Sequence, residues 1–336
     1  MPLGWINNPK PPTISLVKNL GAKLYLSIVL IGIVILIWQV IDTKLILHPA
    51  EYQTIALLPP VTAPAWSVSS STDLVTQKAE LNQQLTAQAY LVVDPETQTI
   101  ILQKNMDQRL PPASTTKLMT ALVALNQYDL NEIVTVSSAA ANDNNGGGLF
   151  VGEQLTVRDL LIGALVSSAN DSALALAEHH PAGAEQFIKL MNEQAQKWHL
   201  TDTTFANPTG YDNPPNWMTA RDLWLLTWQA VQKPQLLEWL GEETRVVYNT
   251  TGNIRHVLFT TNQLLGQDQR ILAGKTGTTE LAREVLVSLV ELKGHLLVIV
   301  VMGSSDRYTD VQTILDWLDQ NLHYPDTAQV LRKPLE

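Results

Sequence analysis

The sequence predicts a mixed α/β fold of the α+β type, in which an antiparallel sheet is flanked by helices and carries an inserted helical subdomain. Three observations support this prediction. Short β-rich runs lie near residue 90 and again after residue 245, helical periodicity dominates the residues between them, and residues 24–41 are uncharged and apolar. Strands on both sides of a helical region indicate one sheet built from N- and C-terminal segments, and the apolar stretch indicates an N-terminal transmembrane helix.

The composition of the 336-residue chain excludes several classes of protein. Hydrophobic residues make up 45% and charged residues 16%, so the chain can bury a large core and is not disordered throughout. The net charge of -10 argues against non-specific nucleic-acid binding, which needs a basic surface. The chain has no cysteine, which excludes a disulfide scaffold, an iron–sulfur cluster, a thiol nucleophile and a cysteine-based zinc site.

The apolar stretch Leu24–Ile41 is predicted to be a transmembrane signal-anchor. At about 1.5 Å rise per residue, its length just spans a hydrocarbon core roughly 30 Å thick. Three lysines and no acidic residue precede it, so the positive-inside rule predicts that residues 1–23 stay in the cytoplasm and the remainder is exported. A cleaved signal peptide is the alternative, but the nearest A-x-A site, at residues 63–65, lies far beyond the apolar run.

The exported part is predicted to consist of a linker, one domain and a tail. Residues 42–73 hold four prolines and a run rich in serine, which predicts an extended linker. The domain is predicted over residues 74–322, and residues 323–336 form the tail.

The domain is predicted to begin with a helix and a β-hairpin. Helical periodicity over Leu74–Thr86 predicts the helix. Two β-rich runs, Ala89–Val93 and Thr99–Gln103, are separated by a polar loop that contains a proline, which predicts the hairpin. Ser114–Asn126, preceded by two prolines, then has the periodicity of a second helix.

Helices are predicted for the middle of the domain, and strands for its last third. The predicted helices are Val157–Val166, Asp171–His179, Gly183–Trp198 and Thr219–Val231. The predicted strands are Arg245–Tyr248, Ile271–Thr276, Glu284–Leu292 and His295–Met302, and a closing helix covers Asp310–Leu322.

Ser114 and Lys117 are the first pair of residues with catalytic potential. Positions i and i+3 of a helix lie on one face, so the hydroxyl and the amine can meet. A serine becomes a good nucleophile when a base removes its proton, and a lysine can be that base when its surroundings lower its pKa. The S-x-x-K pattern is common by chance, so a solvated serine and lysine in a first helical turn are the alternative.

Two further triplets occur where predicted elements end. Ser168-Ala169-Asn170 separates two predicted helices, where a helix cap is the alternative. Lys275-Thr276-Gly277 closes a predicted strand, where a surface lysine is the alternative. Gly274-Lys275-Thr276 also matches the end of a P-loop, but that motif needs a glycine where this chain has Gln269, so nucleotide binding is disfavoured.

In this order, the S-x-x-K pattern and the two triplets resemble the S-x-x-K, S-D-N and K-T-G motifs of penicillin-binding proteins and class A β-lactamases. The chain resembles the low-molecular-mass penicillin-binding proteins, the D-alanyl-D-alanine carboxypeptidase family of serine peptidases, over roughly residues 78–320. The resemblance extends to the segments Pro111–Thr120, Asp159–Asp171, Asn207–Asp212 and Thr219–Leu223. It implies a β-lactamase/transpeptidase-like fold for the domain.

The resemblance implies a catalytic role for four residues. Ser114 would attack the carbonyl of the D-Ala–D-Ala bond and form an acyl-enzyme, and Lys117 would be the base that removes its proton. Ser168 would relay a proton toward the leaving amine. Asn170 would hold Lys117 and the amide of the substrate.

The resemblance also implies a substrate-binding role for residues on the other side of the site. Lys275 would supply positive potential, and Thr276 would bind the terminal carboxylate of the substrate next to Gly277. The main-chain N–H groups of the nucleophile and of Thr278 would form the oxyanion hole. Arg307 resembles the family's carboxylate-binding arginine, and a solvated arginine is the alternative.

Several positions depart from the pattern of the family. Ala169 replaces a usual glycine, and Asn216-Trp217-Met218 stands where His-Tyr-Ser is frequent. Thr278 occupies a position that is commonly His or Tyr, and Arg283 one that is usually glycine. These departures bear on substrate preference and rate more than on the type of reaction.

A pair of adjacent histidines and a glycine-rich run are two further candidate sites in the sequence. His179 and His180 are adjacent, so on a helix they point about 100° apart and cannot share a metal ion on one face; no metal and no cofactor are predicted. The run of residues 142–148, NDNNGGG, favours a mobile loop, and a loop that borders the cleft is the alternative.

The sequence therefore predicts a serine D,D-carboxypeptidase that removes the terminal D-Ala from peptidoglycan stem peptides. β-Lactams are expected to be covalent inhibitors, and no nucleic acid is expected as a partner. The predicted location is the bacterial cell membrane, crossed once, with the catalytic domain on the extracytoplasmic face.

Three alternative functions remain at this point. A D,D-endopeptidase acting on cross-linked peptidoglycan is the nearest of them. A β-lactamase-like hydrolase is disfavoured because the E-x-x-L-N motif of class A enzymes is absent from the sequence. A catalytically silent scaffold that binds cell-wall peptide is disfavoured because the serine, lysine and asparagine residues of the triplets are intact.

Overall fold

The computed structural model of the chain describes residues 72–143, 145–212 and 216–323. The predicted cytoplasmic N-terminus, the transmembrane helix and almost all of the linker lie outside these residues, as does the predicted tail beyond residue 323. Among the described residues, the helices are all too short or too polar to cross a membrane.

The described residues form the following strands and helices, each set numbered in chain order. The strands are β1 (Ala89–Asp94), β2 (Thr99–Lys104), β3 (Ile133–Thr135), β4 (Gln154–Thr156), β5 (Thr244–Tyr248), β6 (Arg255–Phe259), β7 (Ile271–Thr279), β8 (Arg283–Leu292) and β9 (His295–Ser304). The helices are α1 (Thr72–Gln84), α2 (Lys117–Gln127), α3 (Ser138–Ala141), α4 (Val157–Val166), α5 (Asn170–Glu178), α6 (Gly183–Lys197), α7 (Ala220–Val231), α8 (Pro234–Leu240) and α9 (Arg307–Asn321).

A five-stranded sheet forms the centre of the fold, in the order β2-β1-β9-β8-β7. All neighbouring strands are antiparallel. The N-terminal strand β1 pairs directly with the C-terminal strand β9, with Tyr90 opposite Val301. The prediction of an antiparallel sheet that joins the two ends of the domain is therefore confirmed.

The two faces of the sheet contact two separate apolar clusters. Alternate residues of a strand point to opposite faces. Leu91 and Val93 of β1 belong to the larger cluster, which the helical subdomain covers. Tyr90 and Val92 belong to the smaller cluster, to which α9 also contributes. Because both faces are covered, the interiors of β8 and β9 are almost continuously apolar, and such long apolar runs predict strands from the sequence.

Helix α2 lies at the centre of the helical subdomain, and all its residues from Lys117 to Ala124 are buried. Two neighbouring helices begin at side-chain caps. The hydroxyl of Thr156 accepts the N–H of Asp159 at the start of α4, and Thr219 caps α7 in the same way. These caps fix the ends of the two helices that precede segments of the active site.

Several short elements were not predicted from the sequence. The strands β3 and β4, with three residues each, pair with one another, and β6 pairs with the predicted strand β5. A three-residue strand is too short to show a period of two, and it is stabilised by its partner. The predicted strand Ile271–Thr276 also continues to Thr279, because residues 277–279 pair with residues 283–285 of β8.

Candidate active site

The three triplets meet at one open cleft between the sheet edge and the helical subdomain. The cavity has a volume of about 760 Å³. The predicted site residues that line it are Ser114, Ser168, Asn170, Thr276, Gly277, Thr278 and Arg307. Lys117 and Lys275 lie beneath its floor, where they are fully buried.

Ser114 and Lys117, the predicted nucleophile and base, are in direct contact. Ser114 lies in the 3-10 turn Ala113–Thr116, and Lys117 is the first residue of α2. The Lys117 side-chain nitrogen is 2.8 Å from the Ser114 hydroxyl and also donates a hydrogen bond to the Thr209 carbonyl, again at 2.8 Å. The two side chains are therefore in contact, as predicted, although Ser114 lies in the 3-10 turn that precedes the helix and not in the helix itself.

The electrostatic surroundings of Lys117 suit a general base. Burial lowers the pKa of Lys117 to about 7, and the negative charges of Asp143 and Asp171 act in the opposite direction. A large fraction of the amine is consequently neutral near neutral pH and can accept a proton.

Ser168 and Lys275 form a second pair across the cleft. The Lys275 nitrogen donates hydrogen bonds to the Ser168 hydroxyl at 2.7 Å and to the Thr276 carbonyl at 3.0 Å. Burial lowers the pKa of Lys275, and so do the positive charges of Lys117 and Arg307. Ser168 itself has a φ of 61°, a left-handed conformation that costs energy for a non-glycine residue and occurs most often at functional sites.

Two glycines allow the chain to pack tightly around the nucleophile. A Cβ on Gly210, whose φ is +91°, would lie 1.8 Å from the carbonyl oxygen of Ala113. A Cβ on Gly277 would lie 2.8 Å from the Cβ of Ala113 and 2.9 Å from the main-chain nitrogen of Ser114. Strand β7 and the 207–211 loop thus contact the backbone of the nucleophile directly, which only glycine permits.

The 207–211 loop owes its shape to one side chain. The Asn207 side-chain oxygen accepts N–H groups from Thr209 at 3.2 Å, Gly210 at 2.7 Å and Tyr211 at 3.1 Å. The Thr120 hydroxyl ties the same loop to α2 through the carbonyl of Pro208. The loop conformation therefore places the Thr209 carbonyl where it accepts a hydrogen bond from Lys117.

Arg307 lies at the cleft, although it is the first residue of α9. Its Nη1 donates hydrogen bonds to the Gly277 carbonyl at 2.8 Å and to the Thr278 hydroxyl at 2.5 Å. The Thr276 hydroxyl is 2.5 Å from the hydroxyl of Thr261. The guanidinium and these hydroxyls therefore lie at one end of the cleft, where a small anion could bind.

The loop of residues 142–148, here called the glycine-rich loop, contributes residues to the wall of the cleft. Of the two predictions for this loop, the structure therefore favours the alternative, a loop that borders the cleft. Asn145 and Gly146 line the cavity. A Cβ on Gly146 would lie 2.6 Å from a carboxylate oxygen of Asp171, which also accepts the Leu149 N–H at 3.1 Å. The glycines therefore permit close packing against α5, a contact that composition alone does not reveal.

Sequence reasoning also passed over Tyr211 and Asp143 as site residues. Tyr211 lines the cavity, and its hydroxyl donates a hydrogen bond to Asp143 at 2.6 Å. Both residues lie in segments that the sequence singled out for other reasons. Within the described residues, no three His, Cys, Asp or Glu side chains come together to hold a metal ion.

Comparison with known proteins agrees with this geometry. The profile of the D-alanyl-D-alanine carboxypeptidase family, peptidase family S11, matches residues 75–306. The chain belongs to this family. Its members include the D-alanyl-D-alanine endopeptidase of Pseudomonas aeruginosa, which is 32% identical over 246 residues, and the match covers 71% of this chain and 79% of that protein. The carboxypeptidase DacF of Bacillus subtilis is 29% identical, with 69% of this chain and 61% of that protein covered.

Two solved structures have a fold similar to that of this chain. The Streptomyces K15 DD-transpeptidase has a TM-score of 0.65 at 28% identity, with 69% of this chain and 97% of that chain covered. A D-alanyl-D-alanine carboxypeptidase from Mycobacterium tuberculosis has a TM-score of 0.64 at 30% identity, covering 69% and 90%. The resemblance to the low-molecular-mass penicillin-binding proteins is therefore confirmed, and this S11 member is a serine hydrolase acting on D-Ala-D-Ala peptides.

One departure from the S11 pattern places a non-glycine residue in a left-handed backbone conformation. Arg283, which stands where glycine is usual, has a φ of 57° at the turn between β7 and β8. A glycine adopts this conformation without strain, whereas an arginine does not. The turn lies at the end of the hairpin that carries the third triplet.

We expect the acylation rate of this enzyme to rise with pH around neutrality. Lys117 must be neutral to accept the Ser114 proton, and the neutral fraction grows as the pH passes upward through a pKa of about 7. The second-order rate constant for acylation by a chromogenic β-lactam, measured from pH 5 to 9, should therefore show an acid limb with a midpoint near 7. A rate that falls with rising pH across this range would contradict the assignment of Lys117 as the base.

Proposed function

We propose that the protein is a D,D-carboxypeptidase that removes the terminal D-Ala from peptidoglycan stem peptides. The observation that carries the proposal is the buried amine of Lys117, 2.8 Å from the Ser114 hydroxyl, in a cleft whose far end presents Arg307. The pair supplies an activated nucleophile, and the cationic end supplies a place for a C-terminal carboxylate.

The acylation step follows from these positions. Neutral Lys117 takes the proton of the Ser114 hydroxyl as the oxygen attacks the carbonyl carbon of the penultimate D-Ala. The main-chain N–H groups of Ser114 and Thr278 stabilise the tetrahedral oxyanion, and one such donor is typically worth roughly 10²–10³ in rate. The C–N bond then breaks, Ser168 relays a proton to the leaving amine of the terminal D-Ala, and water hydrolyses the ester on Ser114.

Recognition of the substrate carboxylate is proposed for the strand β7 side of the cleft. The Thr276 hydroxyl and the Arg307 guanidinium can donate hydrogen bonds to it. Burial lowers the pKa of Lys275, and a bound carboxylate would favour the protonated amine. Binding of the correct substrate would therefore strengthen the positive potential at this end of the site.

A D,D-endopeptidase is the second candidate, because a relative with that name aligns with 71% of this chain. The two activities differ in the leaving group, which is free D-Ala for the carboxypeptidase and the amine of a second stem peptide for the endopeptidase.

The deciding experiment compares two substrates with the full-length protein in detergent. A stem pentapeptide and a cross-linked stem-peptide dimer are incubated separately, and the products are quantified by mass spectrometry. We expect release of D-Ala from the pentapeptide with a higher kcat/KM than cleavage of the dimer. Cleavage of the dimer alone would replace the carboxypeptidase proposal with the endopeptidase.

We also propose that the enzyme acts at the outer face of the bacterial cell membrane. The support for this location is the charge-free stretch Leu24–Ile41 with its basic N-terminal flank. Protease treatment of intact spheroplasts that express the protein is expected to degrade the domain and to leave a short membrane-embedded fragment. Full protection of the domain would contradict the proposed orientation.

A further inference from the structure

Asp143 lies in the glycine-rich loop at the wall of the cleft, and one of its carboxylate oxygens accepts three hydrogen bonds. Its Oδ1 accepts the side-chain amide of Asn170 at 3.2 Å, the hydroxyl of Tyr211 at 2.6 Å and the main-chain N–H of Asn145 at 2.9 Å. Its donors come from three segments of the chain: helix α5, the 207–211 loop and the loop that carries Asp143 itself.

The carboxylate of Asp143 fixes the orientation of the Asn170 amide. An ionised carboxylate only accepts hydrogen bonds, so the Nδ2 group of Asn170 must face it and the Oδ1 must face away. The main-chain N–H of Asn170 is held at the same loop, by the carbonyl of Asn145 at 3.2 Å. Asn170 is nearly fully buried, so a rotated amide would place two oxygens against each other without water between them.

We propose that Asp143 is a positioning residue of the active site, which orients the Asn170 amide so that its oxygen faces away from the Asp143 carboxylate and toward the cleft that Asn170 lines. This inference rests on the proposed peptidase function. Tyr211 of the 207–211 loop supports it, because its hydroxyl donates to the same carboxylate oxygen. Burial raises the pKa of Tyr211, which keeps the hydroxyl protonated as a donor.

The charge of Asp143 gives the proposal a readout that a purely structural role lacks. The charged groups that act on the pKa of Lys117 are the carboxylates of Asp143 and Asp171, and Lys117 in turn lowers the pKa of the neighbouring Lys275. The carboxylates raise the pKa of Lys117, so the loss of one of them lowers it. Asp143→Asn therefore shifts the acid limb of acylation to lower pH, because the base becomes neutral at a lower pH.

The variants Asp143→Asn and Asp143→Ala separate the two effects. The Asp143→Asn substitution keeps the size of the side chain but removes its charge, so the acid limb is expected to move. The Asp143→Ala substitution also removes the acceptor, so the acylation rate above pH 8, where Lys117 is neutral in every variant, is expected to fall about tenfold or more. Tyr211→Phe, which retains the carboxylate, is expected to leave the acid limb in place.

Asp129→Asn is the matched control. Asp129 is exposed, and its Oδ1 accepts the main-chain N–H of Asn131 at 2.8 Å, the same two-residue turn that Asp143 makes with Asn145. The substitution removes an equal charge from an equivalent turn that does not line the cleft. It is expected to leave both the acid limb and the rate above pH 8 at their wild-type values.

The outcomes distinguish this inference from the proposed function. If the wild-type protein neither acylates nor releases D-Ala, both the proposed function and this inference are wrong. A wild-type protein that acylates, together with an Asp143→Ala variant that folds and keeps the wild-type rate above pH 8, overturns this inference alone. Thermal unfolding of each variant is measured alongside, and the Asp143→Asn variant decides the matter if the Asp143→Ala variant fails to fold.

Discussion

Replacing Ser114 with alanine is expected to abolish covalent labelling by β-lactams and to lower the release of D-Ala by at least about 10³-fold. The reaction needs an oxygen that forms a bond to the carbonyl carbon. Ser114 carries the hydroxyl that lies 2.8 Å from the buried base at the floor of the cleft. Intact-mass spectrometry after incubation with penicillin and a D-Ala release assay would measure the two effects.

The alternative nucleophile in the same cleft is Ser168, whose hydroxyl is 2.7 Å from Lys275. A penicillin adduct that persists on the Ser114→Ala variant would shift the assignment to Ser168. Thr116→Val is the matched control, because it removes another hydroxyl from the same turn. That hydroxyl is buried and has no hydrogen-bond partner among the described residues, so acylation and folding should remain at wild-type levels.

Replacing Lys117 with methionine is expected to lower the acylation rate by about 10³-fold or more at every pH from 5 to 9. Methionine fills much of the volume of the lysine stem but cannot accept the Ser114 proton. Because the base is absent, raising the pH should not restore the rate, whereas the wild-type rate rises through a pKa of about 7. A variant with the wild-type acid limb would show that another group is the base.

The fold should survive the Lys117→Met substitution. The change leaves the Thr209 carbonyl without its donor, which costs free energy, but it also removes a fully buried amine. The two effects oppose one another, so the thermal midpoint is expected to move by no more than about 4 °C. Lys104→Met is the matched control, because the Lys104 amine also donates to a main-chain carbonyl, that of Ala87, at a strand outside the cleft.

The helices and the central strands could be predicted because their patterns are long and regular. Val157–Val166 has the predicted bounds, and β8 and β9 differ from their predicted limits by at most two residues. The elements that were missed, β3, β4, β6, α3 and α8, have three to seven residues. Such elements form because a neighbour supplies their hydrogen bonds or covers their apolar side, and neither contribution appears in a local pattern.

The three triplets could be assigned to one site from their order, but their contacts could not. The spacing of Ser114 and Lys117 is local, so the sequence predicted their meeting. The bond between Lys275 and Ser168 joins residues 107 positions apart, and the contact of Arg307 with Gly277 joins β7 to the start of α9. These pairings depend on the strand order β9-β8-β7, which sets the sheet edge against the helical subdomain.

By itself, the sequence predicted the α+β architecture from the order of its strand and helix patterns and the family from the order of its three motifs. It also predicted the contact of Ser114 with Lys117, because that contact depends on a three-residue spacing. The tertiary structure alone decided that the glycine-rich loop is a wall of the cleft and that Asp143 meets Asn170 and Tyr211 there. It also decided that Lys117 and Lys275 are fully buried. The physical reason is that desolvation, which lowers the pKa of both amines, depends on packing from all sides, and segments far apart in the chain supply that packing.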